Sequence, residues 1–330
     1  MSKRIFLTGG TGLVGSFIVH KLLDEGYSVT CSKRETSNMD LCYPFKDQVK
    51  WVDMDICDPI LVAEHLKEYD WVIHSAALVS FNPRDRNELE EVNVEGTKNV
   101  VDACVKNGIK KLLYISSIAA LGRGNKKEID ETSEWIDSNI NSDYALSKYR
   151  AELEVWRGME EGLEVSVILP SVVLGPGNSN QGSTKLFDIA KKAKKYYPDG
   201  QTNIVDVRDV ASVVYSIIEK NVMNEHFIVN GGAVSYKEIF KAIAVANELP
   251  LPTKRITKTM VLIAYPLLKF YSLIRGKSLF LTSQSIKLIG KEYVYSTKKI
   301  KEAIPMEFID WHETITWTCN QLNKRTSKNV

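Results

Sequence analysis

Two groups of residues in this 330-residue chain have the types and spacing to do chemistry. Gly9, Gly12 and Gly15, with Thr11, Leu13 and Val14 between them, read G-x-x-G-x-x-G directly after an apolar stretch. Far downstream Tyr144 and Lys148 stand at i and i+4, and Ser117 follows the run K-K-L-L-Y-I-S at 110–116. A strand, a glycine turn and a helix start present backbone N–H groups and the positive end of a helix dipole, which suit a dinucleotide pyrophosphate. Gly9 would permit the sharp turn, Gly12 the close backbone approach and Gly15 the packing of helix on strand. Positions i and i+4 share a helix face, so the Tyr144 phenol and the Lys148 ammonium would project into one site. A free tyrosine has a pKa of about 10, too high for efficient proton exchange near neutrality. A nearby ammonium and an oxidised nicotinamide would lower it, and reaching about 7 takes roughly 4 kcal/mol. Lys148 would also hold the nicotinamide ribose, and Ser117 would turn the substrate oxygen toward the phenol.

These residues need a frame, and the pattern supplies one. Strands are expected at Arg4–Thr8, 27–31, 49–52, 70–75, 110–116, 165–169 and 227–230, with helices over 17–25, 88–106 and 144–161. Alternation of this kind implies a Rossmann-type α/β fold, a doubly wound parallel sheet with helices on both faces. Ligands then bind beyond the carboxyl ends of the strands. Ala76, Ala77, Ser116, Ser117 and Pro170 fall there. Residues 1–170 read as the dinucleotide-binding domain, with 204–232 returning to it. Residues 171–203 and 233–330 read as a smaller, mainly helical substrate lobe. Ser80, Phe81, Asn82, Val172, Asn178, Gln181, Thr184 and Phe187 are substrate-pocket candidates, with ordinary loop or core roles as the competing reading.

The end of the second strand bears on the cofactor. An NAD site usually places an acid there for the ribose 2′-OH. This chain has Ser32-Lys33-Arg34 instead, suited to a 2′-phosphate, with a solvated basic loop as the alternative. NADP(H) is favoured, and NAD(H) is the second choice.

At this point the chain resembles the extended short-chain dehydrogenase/reductases. The resemblance rests on T-G-G-T-G-L-V-G (8–15), D-M-D-I-C-D-P (53–59), H-S-A-A (74–77) and N-V-E-G-T-K-N-V (93–100). It continues with Y-I-S-S-I-A-A-L-G (114–122), Y-A-L-S-K (144–148), P-S-V-V-L-G-P-G (170–177) and V-D-V-R-D-V-A (205–211). Within that family the segment V-T-C-S-K-R-E (29–35) is similar to the dihydroflavonol 4-reductase-like branch. The resemblance implies Ser117, Tyr144 and Lys148 as catalytic residues. It implies Asp55 and Ile56 beside the adenine, Ala76, Ala77, Pro170 and Val173 near the cofactor, and Asn93 as a structural hydrogen-bonding residue. The reaction it implies is hydride transfer to an aldehyde or ketone, with Tyr144 protonating the oxygen. A nucleotide-sugar epimerase or dehydratase with tightly bound NAD, a 3β-hydroxysteroid dehydrogenase-like enzyme and a non-catalytic dinucleotide sensor remain alternatives. Homodimerisation through 88–106 and 145–161 is a further expectation by analogy.

Composition narrows the remaining choices. The chain is 44% hydrophobic and 25% charged, ordinary for a globular protein. A net charge of +2 gives no footprint for nucleic acid. Five scattered cysteines without a C-x-x-C pair suggest reduced thiols, a cytoplasmic setting and no metal site. The apolar stretch 260–274 is too short to span a bilayer, which takes about 20 residues, and it carries Pro266 and Lys269. A buried or lid helix is expected there, with peripheral membrane contact as the other reading.

Overall fold

The structure, a computed structural model, describes residues 3–122, 128–138, 141–178, 182–263 and 293–328. Its centre is a seven-stranded sheet built from β1 (Arg4–Thr8), β2 (Ser28–Lys33), β3 (Lys50–Asp53), β4 (Trp71–His74), β5 (Lys111–Ile115), β7 (Glu164–Pro170) and β11 (Glu225–Val229). The order across it is β3-β2-β1-β4-β5-β7-β11, and every pairing is parallel. β1, β4 and β5 are covered on both faces, so they read as continuous apolar runs rather than alternating ones. On one face α1 (Leu13–Asp24) and α7 (Val207–Lys220) bury Ile18, Leu22, Val210 and Ile217 against Ile5, Leu7 and Leu113. On the other, α2 (Pro59–His65), α4 (Gly96–Lys106) and α5 (Asp143–Glu160) enclose Phe6, Val72, Leu112, Val100 and Val155.

The expected helix over 88–106 is a composite. The α3 turn (Arg86–Leu89) runs into a π-helical stretch, Glu90–Glu95, before α4. The wider turn carries Asn93 inward, where it is 1% exposed. Such π stretches often mark functional sites.

The segment 204–232 divides between two layers. α7 and β11 lie with the large sheet, but β10 (Gln201–Asp206) pairs parallel with β8 (Val172–Leu174) and antiparallel with β12 (Gly232–Ser235). This three-stranded sheet, with α6 (Lys185–Ala193), α8 (Tyr236–Ala246) and the helix Trp311–Lys328, encloses a third core around Leu174, Phe187, Ile204, Ile243 and Ile315. Two small parallel pairs complete the lobe: β9 (Tyr196–Pro198) with β13 (Lys254–Ile256), and β6 (Glu128–Ile129) with β14 (Val294–Tyr295). The helical lobe is therefore wrapped around strands too short to announce themselves in the sequence.

The β1–α1 turn is fixed by close approach. Gly9 has φ +76°, and a Cβ there would stand 2.6 Å from the Ala76 nitrogen. A Cβ on Gly15 would fall 2.1 Å from the Gly9 carbonyl oxygen, closer than any real contact permits. Gly15→Ala should therefore push α1 off the turn and destabilise the protein by roughly 1–3 kcal/mol, as overpacking does. An unchanged thermal melt would show that the turn gives way freely.

Candidate active site

The strand ends of the large sheet gather the polar residues. Register places Thr8 beside His74 and His74 beside Tyr114 on three adjacent strands. His74 joins Thr8 Oγ1 at 2.7 Å through Nδ1 and Thr97 Oγ1 at 3.0 Å through Nε2. Thr97 donates to the Asn93 carbonyl at 2.5 Å. Asn93 then clamps the exit from β4: its Oδ1 accepts from Leu78 N at 2.7 Å, and its Nδ2 donates to Leu78 O at 3.0 Å and Ser147 Oγ at 2.9 Å. The chain thus ties β1, β4, the π stretch and α5 together.

Helix α5 starts at Ser142, whose side chain accepts from Ala145 N at 3.0 Å. Tyr144 lies in its first turn and Lys148 one turn deeper. Ser117, past the end of β5, accepts from Ala119 N at 3.1 Å, and its hydroxyl lies close enough to the Tyr144 phenol to favour the phenolate. The structure brings Ser117 and Tyr144 together in this way. The Phe81 ring meets the Tyr144 ring edge-on, with centroids 5.6 Å apart.

Lys148 takes a different place from the one expected beside the phenol. It is 1% exposed, and Nζ donates to Tyr114 Oη at 2.6 Å and to the Ile115 carbonyl at 2.9 Å. Burial pulls its pKa down, and the charge of Glu152 opposes that pull. Tyr144 lies above the ordinary tyrosine value rather than below it: burial pushes it up to about 12, against the opposing pull of the Ser117 hydroxyl. The ammonium is engaged by Tyr114 and the Ile115 carbonyl on β5, and burial governs the phenol. Glu152, a further turn along α5, accepts from Ser116 Oγ and is pushed up by burial. Sequence reasoning placed Ser116 at a ligand-binding strand end without a role and passed over Tyr114 and Glu152. The available signal was i, i+4, i+8 spacing on α5 opposite the i, i+2 positions of a strand.

The glycine loop offers a cradle for an anion. Gly12 caps α1 without any side-chain bond, and the first turn of α1 carries no acid. By contrast α2, α5, α7 and α8 are capped by Asp58, Ser142, Asp206 and Ser235. The first N–H groups of α1 are thus left for a ligand, in a turn where a Cβ on Gly9 or Gly15 would intrude. Leu13 packs toward Gly175 and Gly177, while Val14 and Val173 pack on the first core. Thr11 is half-buried, as is Ala76, whose N donates to Thr8 Oγ1 at 3.3 Å; Ala77 is exposed. Pro170 is buried at the end of β7, in register with Val229.

At the far side of the loop, Arg34 lines a 380 Å³ cavity with Glu35, Thr36, Asp53, Met54, Asp55 and Leu61. Lys33, expected beside Arg34 as a phosphate ligand, is held by Asp53, its register partner on β3. Ser32 is buried in β2. Asp55 faces the cavity and accepts from Cys57 N at 3.0 Å. Ile56 does not line that cavity: its side chain is in the second core, where a Cβ on Gly96 would stand 2.8 Å from its Cδ1.

The pocket candidates divide similarly. Phe187 is fully buried in the third core, and Thr184 is 3% exposed beneath Gly177, so neither side chain faces a pocket. Ser80 donates to Asp85 at 2.5 Å, and Asn82 donates to the same carboxylate at 3.1 Å and caps the next turn. Val172 packs on the third core and Asn178 is half-buried. Phe81 alone of these reaches the Tyr144 ring. Gln181 and residues 264–274 of the apolar stretch lie outside the described residues, while Met260, Leu262 and Ile263 are exposed. Among the described residues no helix is long and apolar enough to cross a membrane, and no cluster of three His, Cys, Asp or Glu could hold a metal.

Known proteins are similar to this chain in sequence and in fold. The sequence model of the NAD dependent epimerase/dehydratase family matches residues 5–230. A putative dihydroflavonol 4-reductase of Synechocystis sp. is 26% identical over 306 residues, covering 91% of this chain and 88% of that protein. Cinnamoyl-CoA reductase 1 of Oryza sativa subsp. japonica is 25% identical over 319 residues, covering 92% and 89%. The crystal structure of gox2253 superposes with a TM-score of 0.83 at 25% identity, over 98% of this chain and 99% of that one. A UDP-glucose 4-epimerase of Thermotoga maritima shares the fold at a TM-score of 0.79 and 20% identity, over 98% and 99%.

His74 makes the buried polar chain pH-sensitive. Burial and then the Lys148 charge pull its pKa down to about 3. An unfolded histidine takes up a proton below about pH 6.5, so between there and the folded value the unfolded state binds more protons. Stability should therefore fall as pH drops through that window, by up to about 1.4 kcal/mol per pH unit from this group. Urea unfolding at several pH values should show a shallower slope for His74→Gln. Parallel slopes would place the acid sensitivity elsewhere.

Proposed function

Because the chain belongs to the NAD dependent epimerase/dehydratase family, and so to the extended short-chain dehydrogenase/reductases, we propose that it is an NADP(H)-dependent reductase of an aldehyde or ketone. The observation that carries the cofactor choice is Arg34. It follows the last residue of β2, lines the cavity beside Asp55, and has no carboxylate ion pair among the described residues. A guanidinium in that position matches a 2′-phosphate bidentately. The glycine turn and the uncapped start of α1 fit the pyrophosphate, as judged from the cradle that a Cβ would fill.

The nicotinamide, when bound, supplies the hydride for the carbonyl carbon. The rest falls to the protein. Ser117 donates to the substrate oxygen and holds it near the phenol. Tyr144 gives its proton to that oxygen as the alcohol forms. The burial that raises Tyr144 keeps the phenol protonated at neutral pH, which is the form a reduction requires. Lys148 carries the positive charge of the site. Phe81, 46% exposed against the Tyr144 ring, gives the substrate an apolar wall.

The names of the relatives agree with reduction: a putative dihydroflavonol 4-reductase and a cinnamoyl-CoA reductase. The epimerases among the solved structures share the fold, at 20% identity for the Thermotoga maritima protein. Fluorescence titration separates the readings. NADPH should bind at least tenfold tighter than NADH, and Arg34→Ala should weaken NADPH by roughly 10- to 100-fold while leaving NADH nearly unchanged, as expected for a charge-assisted contact. Equal losses for both, or NAD carried through purification, would overturn the assignment in favour of epimerase chemistry. Tyr144→Phe should lower turnover about 100-fold or more with little change in NADPH affinity, the range for a lost general acid. Comparable turnover would remove Tyr144 from that role.

A further inference from the structure

Lys148 and Glu152 are two buried charges one helical turn apart, at 1% and 8% exposure. A buried ammonium without a counter-charge gives up its proton, because desolvation costs more than neutral acceptors return. The acceptors that Lys148 has are neutral: the Tyr114 phenol and the Ile115 carbonyl. Among the described residues, the groups around the pair supply no further charge. From β4 comes His74, kept neutral by burial, and from β5 comes Tyr114, whose phenol burial holds protonated. Tyr144, on α5 itself, is protonated too. Glu90 and Asp102, on the elements packed against α5, are paired with Arg150 and Arg157 on its outer side. Glu152 is therefore the carboxylate nearest in the fold: it lies one turn along α5 from Lys148, and its anchor, the Ser116 hydroxyl, follows in the chain the Ile115 carbonyl that Lys148 holds.

A count of donors shows why this matters. An ammonium has three N–H groups and the neutral amine two. Tyr114 and Ile115 take two of them. The third belongs to the charged form; a neutral amine would instead accept from the Tyr114 phenol, so what the site would lose is its positive charge rather than a donor.

We infer that Glu152 is a positioning residue that acts through Lys148: anchored by Ser116, its carboxylate keeps the buried ammonium protonated and so preserves the positive charge at the strand ends. The consequence for turnover rests on the reductase reading. The charge relation between the two side chains does not.

The test uses two readouts on the full-length protein. The first is the NMR titration of the Lys148 ε-methylene in lysine-labelled protein, assigned by its loss in Lys148→Met. Glu152→Gln keeps the size and the Ser116 contact but removes the charge. The Lys148 midpoint should then move to lower pH by about 1 unit or more, the effect of deleting an opposite charge at close range. Glu152→Asp should return most of it. The second readout is the alkaline limb of the turnover profile, which should move down with the NMR midpoint in Glu152→Gln while the KM for the carbonyl changes little. An unmoved Lys148 midpoint in folded Glu152→Gln overturns the inference, and so does a Glu152→Asp variant that behaves like the amide. If Glu152→Gln does not fold, Ser116→Ala replaces it. Loss of the anchor should shift Lys148 in the same direction, and no shift there overturns the inference as well. Failure to find any carbonyl substrate would count against the reductase reading alone, because the NMR titration needs none.

Discussion

A positive charge is buried at the carboxyl edge of a parallel sheet, and the surrounding packing answers to it. Taking the Lys148 ammonium out of water costs several kcal/mol in any protein. The compensation comes from three directions: a phenol and a carbonyl on β5, and a carboxylate one turn along α5. Each requires α5 to cross β5 at one particular rotation. That same rotation sets Tyr144 against Ser117 in the first turn of the helix. The helix cannot slide by a residue without stranding a charge, so the placement of the phenol follows from the solvation of the lysine.

The neighbouring polar chain holds the other half of the frame. Thr8, His74, Thr97, Asn93 and Ser147 link two strands to three helical segments through bonds of 2.5 to 3.0 Å. A neutral His74 can donate with one ring nitrogen while accepting with the other, which is what a chain of hydroxyls on both sides asks of it. Lys148 helps to keep it neutral. The π stretch has its explanation here as well. A regular helix over 90–95 would carry Asn93 to another angle, and the clamp on Leu78 would open.

Much of this frame was legible in the sequence because its signals are local. The glycine spacing, the covered strands and the Y-x-x-x-K pair each lie within a few residues. What escaped depends on long-range register. The strands β8, β10 and β12 come from three separated stretches and are only three to six residues long, so no periodicity marks them as partners. For Phe187 a pocket and a core role both stood open in the sequence; the amphipathic α6 turns it into the third core. Ile56 follows the cavity residue Asp55, yet Gly96 on α4 gives its side chain a place in the core. Glu152 was passed over for a related reason. An acid on a helix reads as solvated until β5 is seen to cover it.

The edge of β2 and β3 shows how register changes a chemical reading. In the sequence, Lys33 and Arg34 are two adjacent cations and read as two phosphate ligands. In the sheet, Lys33 stands opposite Asp53 and bonds to it. Asp53 lines the same cavity as Arg34, and an unpaired carboxylate there would repel a 2′-phosphate. On the NADP reading the two cations therefore have different duties. Arg34 offers the planar fork that meets the phosphate. Lys33 neutralises the acid beside it and keeps the cavity open to a dianion. Deleting Lys33 would remove no phosphate contact, yet it would leave Asp53 charged and unpaired at the wall of the cavity. On that reading the specificity of the edge resides in the register between two strands as much as in Arg34 itself.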